Sequence, residues 1–178
     1  MKFYREALKI GEEGIMIKSL DAPYEQGRRT GYMCKLKPVV NDLDLVIVGA
    51  EYGSGKRGGL LTSYVLGCKN EKEFLEVGKV SSGLKEKVEE GTTYDEMTKI
   101  LKELIISEEG NEVKVKPKVV VAVTYQNIQN SPSYSSGYAL RFPRITFYRP
   151  DKGVDEIETI QAIKKDAEKH GGNGFGIQ

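Results

Sequence analysis

The sequence predicts a mainly β protein with a few helices, of the α+β class. Short β-branched, apolar runs recur after residue 42, such as LDLVIVGAEY at 43–52 and VVVAVTY at 119–125. Gly, Pro and polar clusters bound these runs, which is typical of strands and their turns. One clear helix, TTYDEMTKILKELII at 92–106, keeps a helical period between the third and fourth of these strands.

The first forty residues are predicted to hold a short helix and two strands. The helix covers 2–10, with its apolar side chains on one side and a glycine after it. GIMIKSL at 14–20 and YMCKLKP at 32–38 are predicted as strands, joined by a loop rich in Pro and Gly. Lys35 and Lys37 should share one face of the second strand, because strand side chains repeat every two residues.

Five strands are predicted after residue 42, and their order indicates a fold. They are LDLVIVGAEY, LLTSYVLGC, FLEVGKV, VVVAVTY and YALRFPRITFYR. In the last of them the apolar phase changes at Pro143, which suggests a bulge. Thr93 and Glu96 have capping-box spacing at the start of the clear helix. Five strands with a helix between the third and fourth are the order of an OB-fold, a Greek-key barrel whose first loop often binds oligonucleotides.

The predicted domain boundary lies near residues 38–42. Residues 1–40 are too short to fold alone and resemble the last piece of a larger domain. Residues 41–170 would form the OB-fold domain, ending in an amphipathic helix over roughly 155–168. A flexible tail is expected at 171–178.

Composition excludes several classes of function. Two cysteines and one histidine among 178 residues make a disulfide framework, a zinc site or a Ser-His-Asp triad improbable, and a reducing cytoplasm is the natural reading. No apolar run is long enough to span a membrane, and the charged N-terminus lacks the apolar stretch of a signal peptide. The net charge of +1 gives no argument for nucleic acid, although residues 27–57 hold six basic and three acidic side chains.

The segment GSGKRGG at 53–59 has the composition of a phosphate-binding loop but not its pattern. The P-loop needs glycine five residues before Gly55 and a hydroxyl after Lys56, where Ala50 and Arg57 stand instead. Two interpretations stay open, a plain hairpin turn or a loop that meets a nucleic-acid backbone. In an OB-fold this segment would be the loop between the first two strands.

Three motifs in order resemble those of one enzyme family. EGIMIK at 13–18 resembles the fourth signature motif of ATP-dependent DNA ligases, and KLK at 35–37 resembles the fifth. ALRFPRITFYRPDK at 139–152 resembles the sixth, which is R-x-D-K after R-F-P-R. DLVIVGAEYGSGKRGG at 44–59 is similar to the first OB strand and loop of the archaeal and eukaryotic enzymes. The resemblance runs from Phe3 to about residue 165.

The resemblance implies a fold and a reaction. The fold would be the last strands of a nucleotidyltransferase (adenylation) domain, followed by a five-stranded OB-fold barrel. In the reaction, a lysine takes AMP from ATP and passes it to the 5′-phosphate of a nick in duplex DNA. The 3′-hydroxyl then displaces AMP. The implied cofactors are ATP and Mg²⁺ or Mn²⁺.

The resemblance also implies site residues at the matching positions. Glu13 would help to hold the metal, and Lys18, Lys35 and Lys37 would face the AMP phosphate. Arg29 has the spacing of the nucleotide-contacting arginine. Arg149 and Lys152, with Asp151 between them, would approach the ATP β- and γ-phosphates, while Lys56 and Arg57 would meet DNA.

The sequence departs from the family pattern at several points. Met33-Cys34 replaces the usual Trp-Leu, and Pro150 stands inside R-x-D-K. No K-x-D-G motif occurs, so no catalytic nucleophile is assigned and the chain is expected to be the C-terminal portion of a ligase, inactive alone. Its partners would be nicked duplex DNA, the missing N-terminal part and, through the full-length enzyme, a sliding clamp. The expected location is the cytoplasm of a prokaryote, associated with the nucleoid.

Two alternatives remain at this point. A self-standing OB-fold module that binds nucleic acid would explain the barrel and its tyrosines, through base stacking. It would not explain the Glu13-Gly14 pair or the lysines at 35 and 37. An RNA ligase or capping enzyme shares the fourth and fifth motifs, but R-F-P-R before the sixth favours a DNA ligase.

Overall fold

The structure is a computed structural model that describes residues 1–12, 14–23, 26, 31–37, 42–86 and 91–170. The described residues fall into two compact units, one within Met1–Val40 and the other within Asn41–Gly171. The predicted tail at 171–178 lies outside the described residues.

The first unit contains one helix and one two-stranded antiparallel sheet. Helix α1 is Lys2–Lys9, strand β1 is Ile15–Lys18 and strand β2 is Met33–Leu36. Gly14 precedes β1 with φ +136°, and a Cβ there would lie 2.1 Å from the Leu36 carbonyl oxygen. Only glycine fits that close approach, so the start of β1 is fixed against the end of β2.

The second unit contains nine strands and two helices among its described residues. In chain order they are β3 Leu43–Tyr52, β4 Leu61–Asn70, β5 Glu73–Val80, α2 Tyr94–Lys102, β6 Ile105–Glu109, β7 Glu112–Val115, β8 Val120–Thr124, β9 Asn127–Asn130, β10 Tyr138–Arg141, β11 Arg144–Tyr148 and α3 Ile160–His170. Strands β9 and β10 form a separate hairpin.

The main sheet is organised around β3. Its strand order is β11-β8-β3-β4-β5, and β7 pairs with the second half of β3 while β6 pairs with β7. The Ile145 amide of β11 donates to the Ser82 carbonyl at 2.9 Å, beyond the end of β5. The predicted fold class is therefore confirmed. The protein is mainly β with a few helices, and its main sheet has the strand order of an OB-fold.

The core lies between this sheet and α2. Most of the largest fully buried side chains come from β3, β4 and α2, and they include Leu45, Ile47, Tyr64, Leu66, Met97 and Leu101. The predicted capping box is present, with the Thr93 hydroxyl accepting from the Glu96 amide and the Glu96 carboxylate accepting from the Thr93 amide. Thr98 joins helix to sheet, because its hydroxyl accepts from the Leu61 amide at 2.9 Å.

Several predicted elements are wrong in extent. The clear helix ends at Lys102, and Ile105 belongs to β6, where it pairs with Val115. The apolar period misled the prediction because the next strand begins in phase with the helix. The last helix begins at Ile160 rather than at 155. YALRFPRITFYR forms two strands, and the register shift lies at Ile145/Phe147 rather than at the proline.

Candidate functional site

Two predicted site lysines lie on one face of the β1–β2 hairpin. The register pairs Lys18 with Met33 and Met16 with Lys35. Residues directly opposite in an antiparallel pair share a face, so Lys18 and Lys35 are diagonal neighbours, and both are exposed. Lys37 follows β2 in the same phase as Lys35 and is half-buried. The hairpin therefore presents a lysine-bearing face on which an anion can be held by more than one cation.

Glu13 and Arg29 lie outside the described part of the chain. Their assignments to the metal and to the nucleotide therefore stay predictions.

The predicted sixth-motif cations form a compact ion cluster with two carboxylates. The Arg149 guanidinium contacts Asp151 at 2.7 Å and Asp44 at 3.3 Å, and the Lys152 ammonium contacts Asp44 at 2.5 Å. We call Arg149, Lys152, Asp44 and Asp151 the four-residue ion cluster. Its two cations are more than a quarter exposed, whereas the Asp44 side chain is only 16% exposed.

The ion pair between Arg149 and Asp151 favours the charged forms of these two groups. The hydrogen bond to Asp151 raises the pKa of Arg149, and the same hydrogen bond lowers the pKa of Asp151 to about 2. Both groups therefore stay ionised across the physiological pH range. An anionic ligand would meet the Arg149 guanidinium with the Lys152 side chain beside it.

Backbone contacts hold the cluster in place. The Arg149 amide donates to the Val120 carbonyl at 2.9 Å, and the Lys152 amide donates to the Arg149 carbonyl at 3.2 Å. The Glu158 amide donates to the Asp44 carbonyl at 2.9 Å. The segment after β11 is thus tied to β8 at one end and to β3 at the other.

The loop at 53–59 turns through a short 3₁₀ helix, Gly55–Arg57, between β3 and β4. The Arg57 guanidinium lies 4.7 Å from the centre of the Tyr94 ring and forms an ion pair with Glu86. Lys56 is exposed at the tip. Arg57 therefore fastens the loop to the start of α2, and Lys56 is the better placed of the two to meet a ligand.

The sequence reasoning missed an exposed aromatic between β10 and β11. Phe142 has φ +51° and is 70% exposed, and the Arg141 guanidinium lies 5.2 Å from its ring centre. A non-glycine residue in this backbone region is uncommon and is often found at functional sites. The R-F-P-R sequence could have indicated this feature, and it also places Arg144 two residues after Phe142. We call Arg141, Phe142 and Arg144 the Phe142 edge.

Asp44 was also missed as a site residue, although it interrupts the apolar run LDLVIV. Among the residues that the structure describes, no group of three or more His, Cys, Asp or Glu side chains could hold a metal ion. No described helix has both the length and the apolar character that crossing a membrane requires.

Sheets of the OB type often bind oligonucleotides, and this one carries two neighbouring cations in the four-residue ion cluster. Comparison with family models makes this specific. The model of the ATP dependent DNA ligase domain matches residues 1–37, and that of the ATP dependent DNA ligase C terminal region matches residues 57–152. The second match covers more than half of the chain, and the chain belongs to the ATP-dependent DNA ligase family.

Curated relatives agree with the family models. The chain is 53% identical over 168 residues to a DNA ligase of Nanoarchaeum equitans, covering 92% of this chain and 30% of that protein. It is 48% identical over 166 residues to a DNA ligase of Thermococcus fumicolans, covering 92% of this chain and 29% of that protein. The chain thus spans about 30% of the length of these relatives. The expected family and the match to the C-terminal region are confirmed.

Solved structures of DNA ligases share the fold of this chain. The ligase domain from M. tuberculosis LigD aligns with a TM-score of 0.54 at 26% identity, covering 86% of this chain and 50% of that chain. A mycobacterial DNA ligase D complexed with ATP and MES aligns with a TM-score of 0.51 at 25% identity, covering 88% of this chain and 50% of that chain.

Proposed function

We propose that this chain forms the C-terminal part of an enzyme that seals nicks in duplex DNA through enzyme-AMP and DNA-adenylate intermediates. The observation that carries the proposal is the pairing of Arg149 and Lys152 on one carboxylate, inside the segment that matches the C-terminal region of the family. No K-x-D-G occurs in the sequence. The lysine nucleophile would therefore come from the remainder of a ligase polypeptide, and this chain alone would not react with ATP.

The two groups of cations would serve different phosphates. Arg149 and Lys152 would bind the β- and γ-phosphates and offset the charge that develops on departing pyrophosphate. Lys18, Lys35 and Lys37 would bind the AMP phosphate, which takes part in every later step. The shared face of Lys18 and Lys35 supports this role, because two ammonium groups can then contact one phosphate.

The metal of the proposed reaction would be Mg²⁺ or Mn²⁺. Glu13 would contribute to holding it, and Arg29 would contact the nucleotide. When bound, the metal would neutralise phosphate charge. The described side chains do not form a metal site of their own, so the remaining ligands would come from the triphosphate and from other parts of the enzyme.

DNA would meet the second unit at two places. Lys56, at the tip of the 53–59 loop, would contact the phosphate backbone, and Arg57 would act mainly by fixing that loop. The Phe142 edge combines an exposed ring with two arginines, which suits contact with bases or sugars beside a phosphate. Nicked duplex DNA is the proposed substrate.

The proposal extends to a further partner and a location. A sliding clamp would be reached through the full-length enzyme. The named relatives are archaeal, which supports a cytoplasmic, nucleoid-associated protein in a prokaryote. The match to the ligase domain at residues 1–37 favours this function over a self-standing OB-fold module, which would leave that segment unexplained.

A chimaera tests the proposal. This chain replaces the matched C-terminal region of the Nanoarchaeum equitans ligase, and sealing of a fluorescent nicked duplex is measured with ATP and Mg²⁺. The chimaera should seal the nick, whereas the relative cut before the matched region should not. A folded chimaera that takes up AMP but never seals DNA would refute the proposal.

A further inference from the structure

Asp44 lies at the centre of the four-residue ion cluster, and none of the roles proposed so far includes it. It stands near the start of β3, between the apolar residues Leu43 and Leu45. Its two carboxylate oxygens accept hydrogen bonds from both the Arg149 guanidinium and the Lys152 ammonium. It is therefore the one anion of the cluster that both cations share.

The backbone fixes where this carboxylate sits. Asp44 pairs with Ala122 in the sheet, and its carbonyl oxygen accepts the Glu158 amide hydrogen bond at 2.9 Å. Its side chain is also the least exposed of the four. The charged groups of Arg149 and Lys152, in contrast, lie at the ends of long side chains. The fixed anion therefore sets the position of the two flexible cations.

The cluster is electrically balanced by its own residues. Two carboxylates face two cations. On the side away from Asp44, the Arg149 guanidinium donates hydrogen bonds from Nε and Nη2 to the Asp151 carboxylate. A phosphate that approaches Arg149 and Lys152 must compete with the carboxylate that already joins them. Carboxylate and phosphate oxygens accept the same charge-assisted hydrogen bonds from these cations.

We propose that Asp44 is a positioning residue that stands in for phosphate. Its carboxylate holds Arg149 and Lys152 together and gives them up when the β- and γ-phosphates of a nucleoside triphosphate arrive. The inference rests on the proposed function, because it takes those two cations to be phosphate ligands. Asp44 keeps both side chains in the binding geometry, and as a competing anion it weakens the affinity for phosphate.

The first test uses this chain alone, with inorganic tripolyphosphate as the probe and isothermal titration calorimetry at low ionic strength. Asp44→Asn should bind tripolyphosphate about threefold to tenfold more tightly than the wild type, the range expected when one partly exposed competing ion pair is removed. Asp155→Asn is the matched control, because Asp155 lies three residues after Lys152 but pairs with Lys69 of β4. This variant should bind tripolyphosphate like the wild type. Adding Arg149→Ala and Lys152→Ala to Asp44→Asn should abolish the gain.

The outcomes separate this inference from the proposed function. A folded Asp44→Asn variant that binds no more tightly than the wild type overturns the inference alone, if the Arg149/Lys152 double variant still lowers binding. Tripolyphosphate binding that ignores Arg149 and Lys152 in every background overturns both the inference and the phosphate role of these cations.

A second measurement needs no substitution at Asp44. The carboxyl carbon of Asp44 is followed by nuclear magnetic resonance while tripolyphosphate is added to the wild-type chain. Its signal should move together with the Lys152 ammonium signal, and the Asp155 carboxyl should stay still. Movement at Lys152 without movement at Asp44 would show that phosphate does not displace the carboxylate, and the inference would fail.

The third measurement uses the chimaera. Asp44→Asn should lower the KM for ATP in self-adenylation about threefold to tenfold without raising kcat, and sealing of a nick that already carries AMP should be unchanged. A merely structural role for Asp44 predicts a different pattern, in which both steps decline together. That pattern would also overturn the inference.

Discussion

Replacing Arg149 and Lys152 together by alanine should separate two steps of the proposed reaction. Both side chains would contact pyrophosphate as it departs from ATP, so self-adenylation should lose them as charge-stabilising groups. A nick that already carries AMP contains no pyrophosphate, and its sealing should be largely spared. Changing Lys35 and Lys37, which would contact the AMP phosphate itself, should damage both steps.

The expected losses of adenylation rate and of stability can be given as magnitudes. Each lost cation should slow adenylation by about a hundredfold or more, as when a donor is removed from a phosphoryl-transfer site. The double variant should also lose stability, because it leaves the Asp44 carboxylate, which is only 16% exposed, without either of its cation partners. A mostly buried polar group left unpaired costs about 1–3 kcal/mol, so the melting temperature should fall by roughly 2–12 °C.

Single-turnover kinetics of each isolated step in the chimaera provides the assay. Label transferred from ATP to protein reports adenylation, and extension of the labelled strand of a pre-adenylated nick reports sealing. Lys99→Ala is the control, since it removes an exposed lysine that also has a carboxylate partner, Asp95. Equal failure of the Arg149/Lys152 variant in both steps would refute the reasoning and give the cluster a DNA-binding or structural role.

Three further substitutions test other parts of the structure. Lys56→Ala should reduce the salt dependence of DNA binding by about one unit of slope, whereas Arg57→Ala should mainly lower the melting temperature; equal changes in slope would contradict this division. Phe142→Gly should weaken binding of nicked DNA, because it removes the exposed ring. The same change should raise stability by about 1 kcal/mol, because glycine tolerates φ +51°. Unchanged affinity would exclude the Phe142 edge as a DNA contact. Gly14→Ala should destabilise the first unit by about 2 kcal/mol or more, since a Cβ would lie 2.1 Å from a carbonyl oxygen; an unchanged chemical-denaturation midpoint would show that the backbone relaxes there.

The fold could be predicted where local patterns and tertiary packing agree. The mostly apolar run at 43–52 predicts β3 with the bounds that the structure shows, and the capping box at Thr93 and Glu96 marks the start of α2. The end of α2 could not be predicted, because Ile105 continues the helical period and only its pairing with Val115 assigns it to a strand. Strands β6 and β7 are not predicted for a different reason: both are short and carry charged residues, and only the pairing of β7 with β3 and of β6 with β7 assigns them to the sheet.

The candidate site shows the same division. Motif residues such as Lys18, Lys35, Arg149 and Lys152 could be named from the sequence, and they stay predictions until the reaction is measured. Their neighbours could not be named. Asp44 and Arg149 are 105 positions apart in the chain, and no local pattern indicates that they meet. The contact between Arg57 and Tyr94 is likewise a product of the folded chain.

The ten-residue strand β3 also works as a spacer within the second unit. Asp44 lies near one end of the strand, and the 53–59 loop begins just after the other end. A strand rises about 3.3 Å per residue, so the nine residues between the two positions cover roughly 30 Å. The register shifts at Ile47/Gly49 and Glu51/Tyr52 can bend this strand but do not interrupt it. Sites separated by more than about 10 Å with no shared contacts usually act independently. The free-energy effects of substitutions at Lys56 and at Lys152 should therefore add in the same protein, so that DNA affinity and phosphate affinity could evolve separately at the two ends of one strand.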